Sequence, residues 1–461
     1  MDLKLEHQAL VTNYRAAPYP SFQTRQQKLA QLIALLKENE EQIIEAISDD
    51  FSYRSPAETE LAEIYPSLKA IKHTQKHLAD WMSPEKRKVS VWFQPAKASI
   101  MYQPKGVVGV IVPWNYPLYL ALGPLIGAIA AGNRVMLKMS EFTPQFSQLF
   151  AKLCEQYLGD DWVGVITGGP EVGEAFSKLP FDHLVFTGSG RIGKKVMQAA
   201  SENLTPVTLE LGGKSPTIID ASFSLKLAVE RLLFGKLLNA GQTCLAPDYI
   251  FVPENLKSEF VATAQQVAKT FYPRWKESEY TALASNKQFT RLNDLLDDAK
   301  NQNAEVVPLL DEAEACARKV PPALVLNTHE DMLIRQEEIF GPILPVVTYQ
   351  EHDEVIDYIN RHPRPLALYL FSYNKQVTRQ YMLKTISGGV TLNDTILHVS
   401  QEELPFGGIG ASGMGHYHGH EGFKTFSKAK SIFKQSRFAG TKLMYPPHNK
   451  FANWLLGLMK R

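Results

Sequence analysis

The chain has 461 residues, and at ~150 residues per domain it is long enough for two or three domains with a full core, which excludes a small stapled scaffold. Its 49 Lys and Arg against 48 Asp and Glu leave a formal charge of +1, so no overall field favours nucleic acid, and a small molecule is the expected partner. Cys154, Cys244 and Cys316 form no Cys-x-x-Cys pair and have no neighbouring histidine at metal spacing, which speaks against a disulfide framework or a zinc site. The charged N-terminus, MDLKLEHQALVTNY, lacks the apolar core of a signal peptide, so the expected compartment is the reducing cytoplasm.

Leu29, Leu32, Ile33, Leu36, Ile43, Ile44 and Ile47 recur close to a 3.6-residue period, which predicts an amphipathic helix over 26–50; 59–82 predicts another. Next, KRKVSVWFQPAKASIMYQP alternates apolar and polar residues on either side of Gln94-Pro95, the pattern of a hairpin arm able to pair with another subunit. Its Lys86–Lys88 cluster reads as a solvated, edge-protecting feature. From Gly106 to Asn133 no residue is charged, yet Pro113, Asn115, Pro117 and Pro124 interrupt the run. A buried strand (VVGVIV), a turn and a buried helix (LYLALGPLIGAIAAG) fit better than a membrane span. The strands VMLK, HLVF and VTLE then alternate with helices, which predicts an α/β fold with a parallel, doubly wound sheet. A second α/β set runs from Gly213 to Leu404 with strands YIFV, ILPVVTY and LALYLFS. The final KFANWLLGLMKR sets Phe451, Trp454, Leu455, Leu458 and Met459 at helical spacing. It is expected to dock on the enzyme or a partner subunit, with peripheral membrane contact as the alternative.

The chemistry concentrates at strand-to-loop positions, where open α/β sheets gather ligands. Asn115 lies in VPWNYP, Lys138 in VMLKMSE, Glu210 in VTLELGGKSP and Cys244 in LLNAGQTCLAPD. An isolated free cysteine is ordinarily a packing residue, so the surroundings of Cys244 must argue otherwise. Three further motifs are FTGSGRIGK (Phe186 to Lys194), EEIFGP (Glu337 to Pro342) and LPFGGIGASGMG (Leu404 to Gly415). Asn115 and Lys138 are 23 positions apart, and Glu210 and Cys244 are 34 apart.

In these motifs and spacings, from about Arg25 to Ser431, the chain resembles the NAD(P)-dependent aldehyde dehydrogenase superfamily. CLAPDY and GMGHYHGHEGFKTFS are most similar to its class 3 branch, and within it to bacterial coniferyl-aldehyde dehydrogenases. The resemblance implies a cofactor domain (1–86 and 104–212), a catalytic domain (213–405), and an oligomerisation arm with a C-terminal segment (87–103 and 406–461) in a homodimer. It implies that Cys244 is the nucleophile, that Asn115 with the Cys244 backbone N–H forms an oxyanion hole, and that Glu210 activates water. It further implies that Trp114, Lys138, Glu141, Gly188, Ser189, Gly193, Glu338 and Phe340 bind the cofactor.

Each role has a chemical reason. A thiolate adds to an aldehyde more readily than a hydroxyl, and the thiohemiacetal can lose hydride to leave a thioester. A fixed donor stabilises the developing oxyanion, and a carboxylate activates the hydrolytic water. Glu141, three residues after Lys138, would repel a 2′-phosphate, so NAD is expected ahead of NADP. GSGRIG departs from the usual dinucleotide fingerprint, and Met139 stands where the family motif usually has proline. His398, His416, His418 and His420 lack a matching carboxylate set, so no metal is expected. Trp114, Tyr116 and Tyr119 suggest an apolar tunnel for an aromatic aldehyde such as coniferaldehyde or a medium- or long-chain aliphatic one. Two alternatives stand beside hydrolytic oxidation: acyl transfer to coenzyme A, and a non-catalytic binding or structural role on the same fold.

Overall fold

The computed structural model describes residues 2–276, 279–311 and 318–460. Cys316 lies outside the described residues. Two open α/β sheets dominate. The first has the order Gly413–Met414, Val207–Leu211, His183–Gly188, Val107–Ile111, Arg134–Lys138, Val163–Ile166, parallel throughout except for the Gly413–Met414 edge. From Val107–Ile111 the chain winds outward through two strands, then returns to build the other half from His183–Gly188. The order therefore reverses between these neighbours, and their carboxyl ends open a crevice where α/β sheets bind ligands.

The second sheet runs Glu305–Pro308, Ala323–Leu326, Ile343–Tyr349, Tyr249–Pro253, Pro216–Ile219, Ala367–Phe371, Gly389–Leu392; its one antiparallel pair joins the first two. All three strands expected in this half are present. The uncharged stretch is the strand Val107–Ile111 followed by the buried helix Tyr119–Ala131, closed by Gly132 at φ 95°. Glu63 accepts from the backbone N–H groups of Leu118 (2.7 Å) and Tyr119 (3.0 Å), capping the donors at the start of that helix. Among the described residues no helix is long and apolar enough to cross a membrane.

Three expectations need correction. The helix over 26–50 is two helices, Phe22–Glu38 and Glu40–Asp50, because Asn39 leaves helical geometry and its amide donates to Leu35 O (2.9 Å) and Tyr157 Oη (3.1 Å). The hairpin is only part of the arm. Glu85–Arg87 pairs with Lys97–Pro104, Val91–Phe93 is a 3₁₀ turn instead of a strand, and the long partner of Lys97–Pro104 is the distant Ser427–Lys434. Finally, the C-terminal helix Lys450–Met459 forms, and of its two expected docking surfaces the enzyme's own body is not one, since Phe451, Trp454 and Leu458 are exposed and Ala452 alone is buried, which leaves the partner subunit as the expected surface.

Candidate active site

Cys244 occupies a turn between the 3₁₀ segment Leu238–Gly241 and the strand Tyr249–Pro253. The chain reaches it through three consecutive left-handed residues, Asn239 (φ 54°), Ala240 (φ 51°) and Gly241 (φ 73°). A non-glycine residue in that region costs roughly 1–2 kcal/mol, so buried bonds must hold it. Asn239 donates from its backbone N–H to Glu58 (3.2 Å) and from its side chain to the carbonyls of Asn115 (2.9 Å) and Gln242 (3.3 Å). Gln242 donates to Asn239 O (3.0 Å) and Ala282 O (3.1 Å) and accepts from Ala284 N–H (2.9 Å). Tyr116 and Thr243 share a hydroxyl hydrogen bond of 2.6 Å beside the cysteine.

Asn115 follows the strand Val107–Ile111, and its amide donates to Gln242 O at 3.1 Å, so the side chain is fixed toward the cysteine turn. Its own carbonyl accepts from Arg54 (3.3 Å), which pairs with Glu63 at 2.5 Å in a fully buried contact. Glu210, on Val207–Leu211, is buried, and among the described residues neither carboxylate oxygen has a hydrogen-bond partner. Burial alone pushes its carboxyl well above the usual carboxylate range. The Cys244 thiol is pushed up to about 12, chiefly by burial and then by the nearby Glu338 and Glu210 carboxylates. Cys154 is buried and packed into the core.

A further carboxylate, Glu338, is half-buried and lies against Gly212, where a Cβ would collide with both of its oxygens. Burial, then Asp248, raises it to about 8. Its loop is clamped: Arg291 donates to the carbonyls of Glu338 (3.1 Å) and Ile339, Lys214 donates to those of Ile334 (3.0 Å) and Glu337 (2.6 Å), and Asp248 accepts from Ile339 N–H (2.8 Å) while paired with Lys214. Phe340, at φ 48°, meets the Trp114 ring edge-on with centroids 5.4 Å apart. Gly341 brings its carbonyl so close to Gly241 that a side chain there would clash, so this loop touches the cysteine turn.

Residues suited to a dinucleotide surround the crevice. Lys138 ends its strand and pairs with Glu141 at 3.1 Å. Gly188 and Ser189 lead into the helix Gly190–Ser201; nothing lies within 4 Å of a Cβ built on Gly190, whereas one on Gly193 would meet Leu211 at 2.7 Å. Open backbone at a helix N-terminus suits a pyrophosphate. Of the aromatics expected near a tunnel, Tyr116 is buried under Arg54 (4.9 Å to its ring centroid), and Trp114 packs toward Phe51 and Phe340. Tyr119 is half-buried and faces His418.

Residues 12–432 match the Aldehyde dehydrogenase family. The chain belongs to that family. It is 54% identical over 438 residues to a probable coniferyl aldehyde dehydrogenase of Pseudomonas aeruginosa, covering 95% of this chain and 92% of that one. The fold superposes on the substrate-bound state of Staphylococcus aureus AldH with a TM-score of 0.95 and 37% identity, covering 100% of both chains. The aldehyde dehydrogenase of Mycobacterium tuberculosis solved with NAD+ gives 0.84 and 27% identity, over 92% of this chain and 88% of that one. The protein is thus an aldehyde dehydrogenase that uses NAD(P) to oxidise an aldehyde.

Arg54, Glu58, Glu63, Asn239 and Gln242 escape the sequence reading. Asn239 and Gln242 stand within the quoted NAGQTC, five and two positions before the cysteine, but only the left-handed turn reveals what they hold. The carboxylates and arginine arrive from far along the chain and carry no local signal.

Proposed function

We propose that this enzyme oxidises an apolar aldehyde, of the coniferyl type or a medium- to long-chain aliphatic, to its carboxylic acid with NAD preferred over NADP. The observation that carries the reading is the convergence of Cys244, Asn115 and the unpartnered Glu210. Cys244 Sγ attacks the carbonyl carbon as its proton passes to Glu210 or to water, and the oxygen becomes an oxyanion facing the Asn115 amide. When bound, NAD(P)+ accepts the hydride lost from that carbon, and the remaining C–S bond is a thioester. Once any proton taken from the thiol has passed to solvent, Glu210 removes a proton from water, water attacks the thioester carbon, the C–S bond breaks, and the proton held by Glu210 returns to the sulfur as the acid leaves. Trp114, Lys138, Glu141, Gly188, Ser189, Gly193, Glu338 and Phe340 would hold the dinucleotide, whose cationic ring would favour ionisation of the raised thiol. The Glu141 carboxylate beside Lys138 supports the NAD preference.

The similarity to a probable coniferyl aldehyde dehydrogenase supports the aromatic substrate. Exposed Val91, Phe433, Phe438 and Trp454 around the arm and C-terminal helix support a homodimer, with that helix in the interface. Absorbance at the nicotinamide band, read with NAD or NADP against coniferaldehyde, benzaldehyde, hexanal and a long-chain aldehyde, tests substrate and cofactor together; preference for a small charged aldehyde or for NADP would overturn the reading. Vesicle flotation tests the interface: the enzyme is expected to stay in the aqueous fraction.

A further inference from the structure

Away from the catalytic turn, two distant segments bring metal-competent side chains together. His73 and His77 sit one turn apart on the helix Tyr65–Met82, with ring centroids 4.5 Å apart. Glu403 lies on the loop after the 3₁₀ turn Leu397–Ser400 and brings Oε1 to 3.1 Å from His73 Nε2. One ligand atom from each of the three residues lies within 4.8 Å of the others. Two histidines at i and i+4 on a helix plus a carboxylate are a recurrent ligand set, and donors around an ion at about 2.0–2.2 Å stand roughly 3–4 Å apart. Among the described residues this is the one such group, and it includes none of the glycine-loop histidines.

We propose that His73, His77 and Glu403 bind one borderline divalent transition ion of the Zn²⁺ type, tying the 397–406 loop to the helix Tyr65–Met82. Two imidazoles favour such an ion over Mg²⁺ or Ca²⁺, which prefer oxygen ligands. Trp81 stacks near-parallel to His77 (6.2 Å, 18°) and to His420 (5.3 Å, 15°), restraining the rings. Lys69, Lys72 and Lys76 share this face and weaken the attraction for a cation, and Glu402 lies beside them.

The loop matters to the enzyme. Lys69 already holds it through Ser400 O at 2.7 Å, and further on Phe406 packs against Tyr417 and His418. Burial raises the Tyr417 pKa most, and Tyr417 in turn lies close enough to Glu210 and Cys244 for their ionisation to raise it further. An ion at Glu403 would therefore restrain one wall of the catalytic chamber.

Calorimetric titration of the full-length protein with Zn²⁺ alone tests the site, using Cys244→Ala as background because the thiol also takes zinc. One equivalent is expected there, with affinity at least tenfold weaker after adding either His77→Ala or Glu403→Gln. The Glu403 side chain is 76% exposed, so its variant keeps the test decisive if the histidine variant misfolds. The Co²⁺ form of the background protein is expected to show d–d bands without sulfur charge transfer. No saturable equivalent in Cys244→Ala, or unchanged affinity in Glu403→Gln, would overturn the proposal.

Discussion

The Asn115 amide donates to the carbonyl of Gln242 at 3.1 Å, joining the end of a first-sheet strand to the turn two residues before Cys244. The proposed oxyanion donor and the proposed nucleophile are thereby linked by one bond between the two halves of the molecule. Asn115→Ala is expected to lower kcat/KM by about 10²–10³-fold, the usual cost of losing one such donor, while NAD binding measured by fluorescence stays near wild type.

Gln242 makes three buried hydrogen bonds that hold the left-handed turn. Gln242→Ala removes all three and leaves buried partners unsatisfied, each at about 1–3 kcal/mol. Lower thermal stability and at least tenfold lower kcat are expected together; an unchanged kcat would show that the turn holds Cys244 without it.

Glu210, the proposed base, also bears on stability. Its folded pKa is raised, so the stability associated with its protonated form is fully present below the unfolded carboxyl value and is lost as pH rises toward the folded one. Glu210→Gln does not titrate. Its stability relative to wild type is therefore expected to increase from about pH 4.5 upward, as denaturant midpoints would show. A pH-independent difference would mean that the carboxylate is solvated.

The raised Cys244 pKa, about 12, makes a related statement about reactivity. In the protein without cofactor, iodoacetamide labelling of Cys244 should accelerate roughly tenfold per pH unit between pH 6 and 9, since only the thiolate reacts. A plateau near neutral pH would contradict that environment.

What the sequence discloses depends on range. Asn115, Lys138 and Glu210 stand out because each lies at or just after the end of an apolar strand, and strand ends of this kind gather in a doubly wound sheet, whereas Cys244, expected at a strand end too, instead follows the helix Leu225–Leu237 and its 3₁₀ extension. The pairing of Lys97–Pro104 with Ser427–Lys434 is invisible because two strands more than 300 positions apart carry no local mark of their register. The supports behind the turn are hidden for the same reason: Glu58 reaches Asn239 across 181 positions, and Arg54 reaches Asn115 across 61. Periodicity also ran past Asn39, where one side-chain amide outcompetes the helix.

Single-turnover mixing of Glu210→Gln with excess NAD and coniferaldehyde tests the two-stage mechanism most directly. Reduced nicotinamide equal to one equivalent of active sites is expected, followed by a stall as the thioester on Cys244 fails to hydrolyse, with no signal from Cys244→Ala. Sustained turnover in Glu210→Gln, or nicotinamide reduction in Cys244→Ala, would contradict the account.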